Sequence, residues 1–181
     1  MVQRSIPKGM KYPITQLNSI HQKNSFSCGK ESLDHYIQKQ ASQDVAKGLS
    51  VCYILPDEFN LIIGYYTLST LSISREEIPE DIKKKIPGSY NAPAILIGRL
   101  AVNKSHHRQG IGELILFDAL KRSFESSLKI GSMAVAVDPI DEEAIKFYAR
   151  YGFILLPKSG KMFLSMKSIY KILSQAGYIE S

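Results

Sequence analysis

The apolar positions of residues 31–47 follow a helical period. Leu33, Ile37 and Ala41 recur at every fourth position, with mostly polar residues between them. Such spacing places apolar side chains on one face of a helix, and Gly48 is a typical residue at a helix end. We therefore predict one amphipathic helix over residues 31–47.

Other apolar runs are rich in β-branched and aromatic residues, which favours strands. Strands are predicted at residues 12–18, 51–55, 61–68, 94–102, 133–137, 153–156 and 162–166. The first of these has sparse apolar positions and fits an edge strand. The second and third are separated by a turn-like segment and predict an antiparallel hairpin.

The remaining segments predict helices between the later strands. They lie within the charged, Pro-containing surface segment 74–91, at residues 114–124, between a cap at Asp141 and Gly152, and at residues 169–176. The chain thus begins with consecutive strands and continues with strands that alternate with helices. This order indicates a mixed α/β sheet.

Length and composition limit the class of protein. A chain of 181 residues suits one globular domain. We expect that domain at residues 10–176, with a flexible extension at residues 1–9. No apolar run is long enough for a membrane span, and we expect no secretory signal. Two cysteines are too few for a disulfide framework, so we expect Cys28 and Cys52 to be free thiols in a cytoplasmic protein.

The net charge of +6 favours an acidic partner without identifying one. The densest basic run, residues 83–85, has no aromatic residues among its lysines. A solvated surface is therefore the simpler interpretation of that run.

A basic turn joins the strand at residues 94–102 to the next helix and ends in Gly110-Ile111-Gly112. Glycines allow a backbone to approach a ligand closely, and the N–H groups of a helix start favour an anion. The turn lacks the Gly-Lys-Ser/Thr ending of a P-loop and the third glycine of a dinucleotide fingerprint. It therefore predicts a phosphate-bearing ligand of another kind.

Two motifs resemble the GNAT superfamily of acyl-CoA-dependent N-acetyltransferases. Residues 107–112, His-Arg-Gln-Gly-Ile-Gly, are similar to Arg/Gln-x-x-Gly-x-Gly/Ala, and residues 147–153 match Phe-Tyr-x-x-x-Gly-Phe. His107 departs from the first motif, and we expect Arg108 beside it to supply the charge. The resemblance implies the GNAT fold, a single mixed, mostly antiparallel twisted sheet that is splayed at its central strands and flanked by helices.

Four further motifs resemble the TacT-like acetyltransferase toxins of type II toxin-antitoxin modules. They are Phe-x-Cys-Gly at residues 26–29, Leu-Asp at 33–34, Gly-Tyr-Tyr at 64–66 and Gly-Arg-Leu-Ala-Val at 98–102. The resemblance implies a toxin that transfers acetyl from acetyl-CoA to the α-amino group of an aminoacyl-tRNA and so blocks translation.

The same resemblance implies where acetyl-CoA binds. The diphosphate is expected on backbone N–H groups of the turn, and the pantetheine arm beside the preceding strand, where an N–H polarises the thioester oxygen. The expected cofactor-binding residues are Leu100, Ala101, Val102, His107, Arg108, Gln109, Gly110, Ile111, Gly112 and Glu113.

Tyr148 is the expected catalytic residue, because the resemblance places it beside the departing sulfur. A tyrosine hydroxyl, with an ordinary pKa near 10, can hydrogen-bond or protonate a thiolate whose conjugate acid has a pKa near 8.5. The attacking α-amino group has a pKa near 8, so part of it is neutral without a strong general base.

Charged residues in the sequence leave several roles open. Arg99 interrupts an apolar strand, and a structural ion pair and a substrate contact are equally good explanations for it. With Lys30 and Arg150 it forms the predicted substrate-binding set. Other candidates for tRNA contact are Lys39, Lys47, Lys83, Lys84, Lys85, Arg108, Lys121, Arg122 and Lys158.

Other polar residues near the motifs have simpler interpretations than catalysis. His106 and His107 lack the Cys or carboxylate spacing of a metal site, so no metal is predicted. Asp138 and Asp141 are interpreted as turn and capping residues rather than an acid/base pair.

The resemblance also implies the partners of this protein. They are an aminoacyl-tRNA, a small ribbon-helix-helix antitoxin and, through the antitoxin alone, operator DNA; a homodimer is a further expectation. One alternative is a GNAT enzyme that acetylates a protein or a small-molecule amine. The other is a non-catalytic acyl-CoA-binding module that acts through an antitoxin–DNA complex, and the presence of Tyr148 argues against it.

Overall fold

The computed structural model describes residues 13–84 and 86–180, so the extension predicted at residues 1–9 lies outside the described residues. The strands of the described part are β1 Thr15–Gln16, β2 Val51–Pro56, β3 Ile62–Ile73, β4 Ala92–Val102, β5 Ala134–Val137, β6 Ile154–Leu155 and β7 Met162–Ser165. They form one sheet in the order β1-β2-β3-β4-β5-β7-β6. β4 and β5 are parallel, whereas β1–β2, β5–β7 and β6–β7 are antiparallel. The predicted mixed, mostly antiparallel sheet is confirmed.

The helices of the described part flank this sheet. They are α1 Glu31–His35, α2 Ala41–Ala46, α3 Glu80–Lys83, α4 Ile111–Ile130, α5 Glu142–Arg150 and α6 Met166–Gln175. Contacts divide the chain into two compact units. The first contains residues 13–67 and Leu100–Leu116, and the second contains Leu68–Arg99 and residues 117–180.

The predicted helix over residues 31–47 contains a π-helical stretch, Tyr36–Gln40, between α1 and α2. An α-helix turns through about 100° per residue, so apolar residues four apart drift by about 40° at each step. The wider π turn counteracts this drift. Ile37 and Ala41 therefore both face the core of the first unit and are fully buried.

The second unit has its own core, in which Ile73, Ala94, Ala136 and Phe163 take part. Within the surface segment 74–91, Arg75–Glu77 form a 3₁₀ turn that was not predicted, and α3 is the short helix that was predicted. The ends of this segment are held together because the Arg75 guanidinium donates hydrogen bonds to the carbonyls of Ile86 and Pro87.

Two helices extend beyond their predicted bounds. α4 runs to Ile130, beyond the predicted residue 124. In its second half two serine hydroxyls bond to carbonyls of the same helix, Ser123 to Ala119 and Ser127 to Phe124, both at 2.7 Å. At its other end, α4 begins at Ile111, so the predicted start at residue 114 is wrong and Gly112 lies in the first turn.

α6 begins directly after β7, before the predicted residue 169. Ser165 ends the strand and caps the helix, because its Oγ accepts a hydrogen bond from the Ser168 N–H at 3.1 Å. Among all the helices described, none combines the length and the apolar character needed to cross a membrane.

Candidate active site

Strand β4 continues past the end of its neighbour β5. The parallel ladder between them runs from Ala94, opposite Ala134, to Ile97, opposite Val137. β5 ends at Val137, whereas β4 continues to Val102. The Gly-Arg-Leu-Ala-Val motif therefore lies on the part of β4 that has no β5 residue opposite it.

Gly64, from the Gly-Tyr-Tyr motif, allows β3 to approach β4 closely. A Cβ at this position would lie 3.2 Å from the carbonyl oxygen of Ala101 and 3.3 Å from Cδ1 of Ile115. Tyr65 beside it is fully buried, and its hydroxyl donates to the Leu33 carbonyl at 2.7 Å. The motif thus fixes α1 and the end of β4 onto the same strand.

The loop after β4 is braced by its own polar groups. Asn103 donates its N–H to the Ile63 carbonyl at 2.7 Å, and its Oδ1 accepts from the Ser105 N–H at 3.2 Å and from Ser105 Oγ at 2.9 Å. Gln109 Nε2 donates to the Ser105 carbonyl at 3.2 Å. This network was not predicted from the sequence, although Asn-x-Ser after a strand is a recognisable turn signal.

His107 occupies the position at which the motif has Arg or Gln. Its Nε2 lies 2.8 Å from the Val102 carbonyl, the last of β4, and donates to it in the tautomer that protonates Nε2. The His107 side chain therefore bonds back to the end of the preceding strand, β4.

The Gly-containing turn has two residues in the left-handed region. Arg108 has φ 58° and Gly110 has φ 79°. The first helical hydrogen bond of α4 runs from the Leu114 N–H to the Gly110 carbonyl at 3.1 Å. The N–H groups of the first turn of α4 lack carbonyl partners within the helix, and such groups are suited to binding an anion.

The Phe-x-Cys-Gly motif contacts the same loop. Asp34 holds this turn, because its Oδ1 accepts from the Cys28 N–H at 2.7 Å and its Oδ2 accepts from Ser27 Oγ at 3.1 Å. The Ser27 carbonyl in turn accepts from the Lys104 N–H at 2.8 Å. The motif, with Gly29 at φ 87°, is thus part of the scaffold of the loop after β4.

The two cysteines are free, as predicted, and both are buried. Burial raises the pKa of the Cys28 thiol to about 11. The raised pKa keeps the Cys28 thiol in its protonated, weakly nucleophilic form at neutral pH.

Tyr148 lies near the C-terminal end of α5, in an aromatic cluster of the second unit. Its ring centroid is 5.2 Å from that of Phe147 and 5.4 Å from that of Phe153. Gly152, at φ 86°, ends the helix so that the chain turns back, and the Phe153 N–H reaches the Tyr148 carbonyl at 3.3 Å. The Phe-Tyr-x-x-x-Gly-Phe motif therefore forms the C-terminal end of α5, where Phe153 packs against the ring of Tyr148.

Burial raises the pKa of the Tyr148 hydroxyl well above its usual value. The side chain is only 7% exposed. Tyr148 is therefore a neutral hydrogen-bond donor near pH 7, and proton transfer from it to a thiolate is less favourable than the ordinary tyrosine pKa predicts.

The two aspartates near α5 have structural partners. Asp141 is the predicted N-cap, and its Oδ1 accepts from the Ala144 N–H at 2.8 Å. Asp138 forms an ion pair with Lys161 at 3.5 Å. The hydrogen bond from the Ala144 N–H confirms the predicted capping role of Asp141.

The predicted substrate-binding residues lie on different elements. Lys30 precedes α1 and Arg150 ends α5, and both side chains are exposed, whereas Arg99 lies half-buried in β4. Other candidate cations are paired with carboxylates, namely Lys83 with Glu80 at 2.9 Å, Lys121 with Glu125 at 3.7 Å, Arg122 with Asp118 at 2.8 Å and Lys158 with Glu76 at 3.7 Å. Lys85 lies outside the described residues. In the part of the chain that is described, no group of His, Cys, Asp and Glu side chains could hold a metal ion.

The family of this chain follows from comparison with known proteins. Residues 49–155 match the acetyltransferase (GNAT) domain family. The tRNA-acetylating toxin of Mycobacterium tuberculosis is 32% identical over 133 residues, which cover 74% of this chain and 78% of the relative. The chain belongs to the GNAT acetyltransferase family, and acetyl-CoA is its cosubstrate, as predicted.

Solved structures of toxins share the fold over nearly their whole length. AtaT complexed with acetyl-methionyl-tRNAfMet is 28% identical with a TM-score of 0.82, covering 89% of this chain and 98% of AtaT. A mutant AtaT bound to the C-terminus of the antitoxin AtaR and acetyl-CoA is 25% identical, with a TM-score of 0.76 and coverage of 90% and 98%. A KacTA–DNA complex is 27% identical, with a TM-score of 0.75 and the same coverage. The predicted GNAT fold is confirmed.

Proposed function

We propose that this protein is a toxin that transfers acetyl from acetyl-CoA to the α-amino group of an aminoacyl-tRNA. The observation that carries the proposal is the similarity, over most of the chain, to a tRNA-acetylating toxin and to AtaT in complex with acetyl-methionyl-tRNAfMet. An acetylated α-amine cannot attack a peptidyl ester. Translation therefore stops when charged tRNA is modified in this way.

The turn from Arg108 to Glu113 binds the diphosphate of acetyl-CoA in this proposal. Support comes from the N–H groups at the start of α4 and from the two left-handed residues that shape the turn. Arg108 is exposed, and a non-glycine residue at φ 58° costs about 1 kcal/mol. A functional side chain justifies that cost, so we assign the Arg108 guanidinium to the diphosphate.

The strand residues Leu100, Ala101 and Val102 bind the pantetheine arm. This assignment is supported by the end of the pairing between β4 and β5 at Ile97, after which β4 continues as an extended strand. An extended amide-containing arm can add to a strand through ladder hydrogen bonds. The thioester that the bound cosubstrate supplies would then be polarised by a β4 N–H.

Tyr148 donates a hydrogen bond to the sulfur as the thiolate leaves. Its raised pKa favours this role over a base, because the hydroxyl stays protonated at neutral pH. The ring of Tyr148 packs against the buried Phe153 and the half-buried Phe147, which limits the access of water to it. The neutral fraction of the α-amine attacks, and its proton passes to solvent once the amide bond has formed.

The tRNA contacts that we propose are Lys30, Arg99 and Arg150. Lys30 and Arg150 are exposed cations, which suits phosphate contact.

The remaining proposals concern partners and location. We propose an antitoxin of the ribbon-helix-helix type, DNA binding only through that antitoxin, and a homodimer. Related structures contain a toxin with an antitoxin segment and a toxin–antitoxin complex with DNA. Charged tRNA is a cytoplasmic substrate, so we assign the reaction to the cytoplasm.

An acceptor assay tests this function. The protein is incubated with labelled acetyl-CoA and, separately, with charged tRNA, the same tRNA deacylated, and bulk protein. Label is expected only on charged tRNA, and a Tyr148→Phe variant is expected to transfer far less. Label on protein alone would refute the proposed toxin activity and indicate a protein acetyltransferase. Binding of CoA without transfer to any acceptor would favour the non-catalytic alternative.

A further inference from the structure

His107 differs from its neighbours in the direction of its side-chain hydrogen bond. In the described loop, Ser105 bonds to Asn103 and to His106, and Gln109 bonds back to Ser105. His107 instead reaches Val102, at the end of β4, with 2.8 Å between Nε2 and the carbonyl oxygen.

This hydrogen bond closes the loop between the strand and the turn. Val102 is the last residue of β4, and the residue after His107 is Arg108, with φ 58°. The bond therefore fixes the point at which the chain leaves the loop for the turn. From that point to Glu113 the direction of each N–H group depends on a few backbone dihedral angles. Two residues on the way, Arg108 and Gly110, lie in the left-handed region.

We infer that His107 is a positioning residue for acetyl-CoA, which acts through the Val102 carbonyl and does not itself contact the cosubstrate, in place of the direct contact that the motif implies. This inference rests on the proposed use of the turn as the diphosphate site. It goes beyond that proposal because it assigns the imidazole to the strand end. The chemistry requires a donor that reaches the carbonyl, so glutamine can replace histidine and phenylalanine cannot.

The test compares His107→Phe and His107→Gln with the wild type. A control is His106→Phe, because His106 is the adjacent imidazole and its Nδ1 lies 2.9 Å from Ser105 Oγ rather than from the strand. For each protein we would measure the Kd of CoA by calorimetry, KM and kcat with acetyl-CoA, and the thermal midpoint.

We expect His107→Phe to raise the Kd of CoA and the KM of acetyl-CoA by about fivefold, the effect of losing one hydrogen bond. kcat should stay within about twofold, since the reacting groups are unchanged. His107→Gln should restore both constants, and the His106 control should resemble the wild type.

Several results would overturn the inference. One is an unchanged Kd in His107→Phe, even with a lowered thermal midpoint, since that describes a purely structural residue. Another is a glutamine variant as defective as the phenylalanine variant. Because CoA calorimetry needs no tRNA, a failure to find the proposed acceptor leaves this inference standing. A wild-type protein that does not bind CoA would overturn both.

Discussion

Replacing Gly64 by alanine perturbs the strand that is proposed to hold acetyl-CoA. The added Cβ would lie 3.2 Å from the Ala101 carbonyl oxygen, which is backbone, and 3.3 Å from Cδ1 of Ile115, which can rotate. β4 must therefore move by a few tenths of an ångström. Such overpacking costs about 1–3 kcal/mol, and the smaller entropy of the unfolded alanine chain offsets about 0.4–1 kcal/mol of it.

The net loss of unfolding free energy in Gly64→Ala is therefore about 0.5–2 kcal/mol. With a urea m-value of about 2 kcal/mol per molar, the midpoint should fall by roughly 0.3–1 M. We also expect weaker CoA binding by calorimetry, because the displaced oxygen belongs to the proposed pantetheine strand.

Gly88→Ala is the matched control for this substitution. Gly88 lies in an exposed turn, has no positive φ and has no atom within 4 Å of the position that an added Cβ would take. The control should be neutral or slightly stabilised. Equal stability and equal CoA affinity in Gly64→Ala and the wild type would refute the close-approach argument.

The remaining predictions concern single side chains and pH. Tyr148→Phe should lower kcat by about 10²–10³-fold, the effect of losing one transition-state hydrogen-bond donor, with little change in CoA affinity or stability, whereas Tyr151→Phe should keep most activity; equal rates in steady-state assays would remove Tyr148 from the chemistry. Gly110→Ala, at φ 79°, should raise the Kd of CoA by about tenfold, while Gly160→Ala, at φ 73°, has the same backbone strain and should leave Kd unchanged in calorimetry. Burial lowers the pKa of His21 in the folded state, so its contribution to stability is complete above about pH 6.5 and is lost as pH falls through the lowered folded pKa. Urea titrations at several pH values should show the free energy of unfolding falling as the pH is lowered below about 6.5, and His21→Gln should reduce this fall. An unchanged pH dependence in His21→Gln would assign the fall to other titratable groups.

The strand, turn and helix around residues 98–113 could be predicted because their signals are local. An apolar run, a pair of glycines and a following apolar stripe each depend on neighbouring residues alone. The same holds for Asp141, whose capping bond reaches only to Ala144. Family motifs then supplied the acetyl-CoA assignment, which local patterns leave as an unspecified phosphate ligand.

The bracing of the candidate site could not be predicted, because it depends on contacts between different segments of the chain. Asp34 bonds to Cys28 in a way that a helix pattern does not specify, and Ser27 meets Lys104 only after the first unit has folded. The raised pKa of Tyr148 likewise results from tertiary burial rather than from its motif.

The π-helical stretch at Tyr36–Gln40 lies between these cases. Its signal was present as a strict four-residue apolar spacing, which an α-helix accommodates only with drift. Whether that drift is corrected depends on how the helix packs on the sheet.

The central claim, acetylation of an α-amine on charged tRNA, is tested most directly by identifying the modified atom. One charged tRNA is prepared in two forms, with the α-amine free and with the α-amine chemically blocked, and each is incubated with the protein and acetyl-CoA. The amino acid is then released by ester hydrolysis and analysed by mass spectrometry. The account predicts an N-acetyl amino acid from the free form and no acetyl on the blocked form or on the tRNA itself. Acetyl on the blocked form, or on the nucleotides, would contradict it.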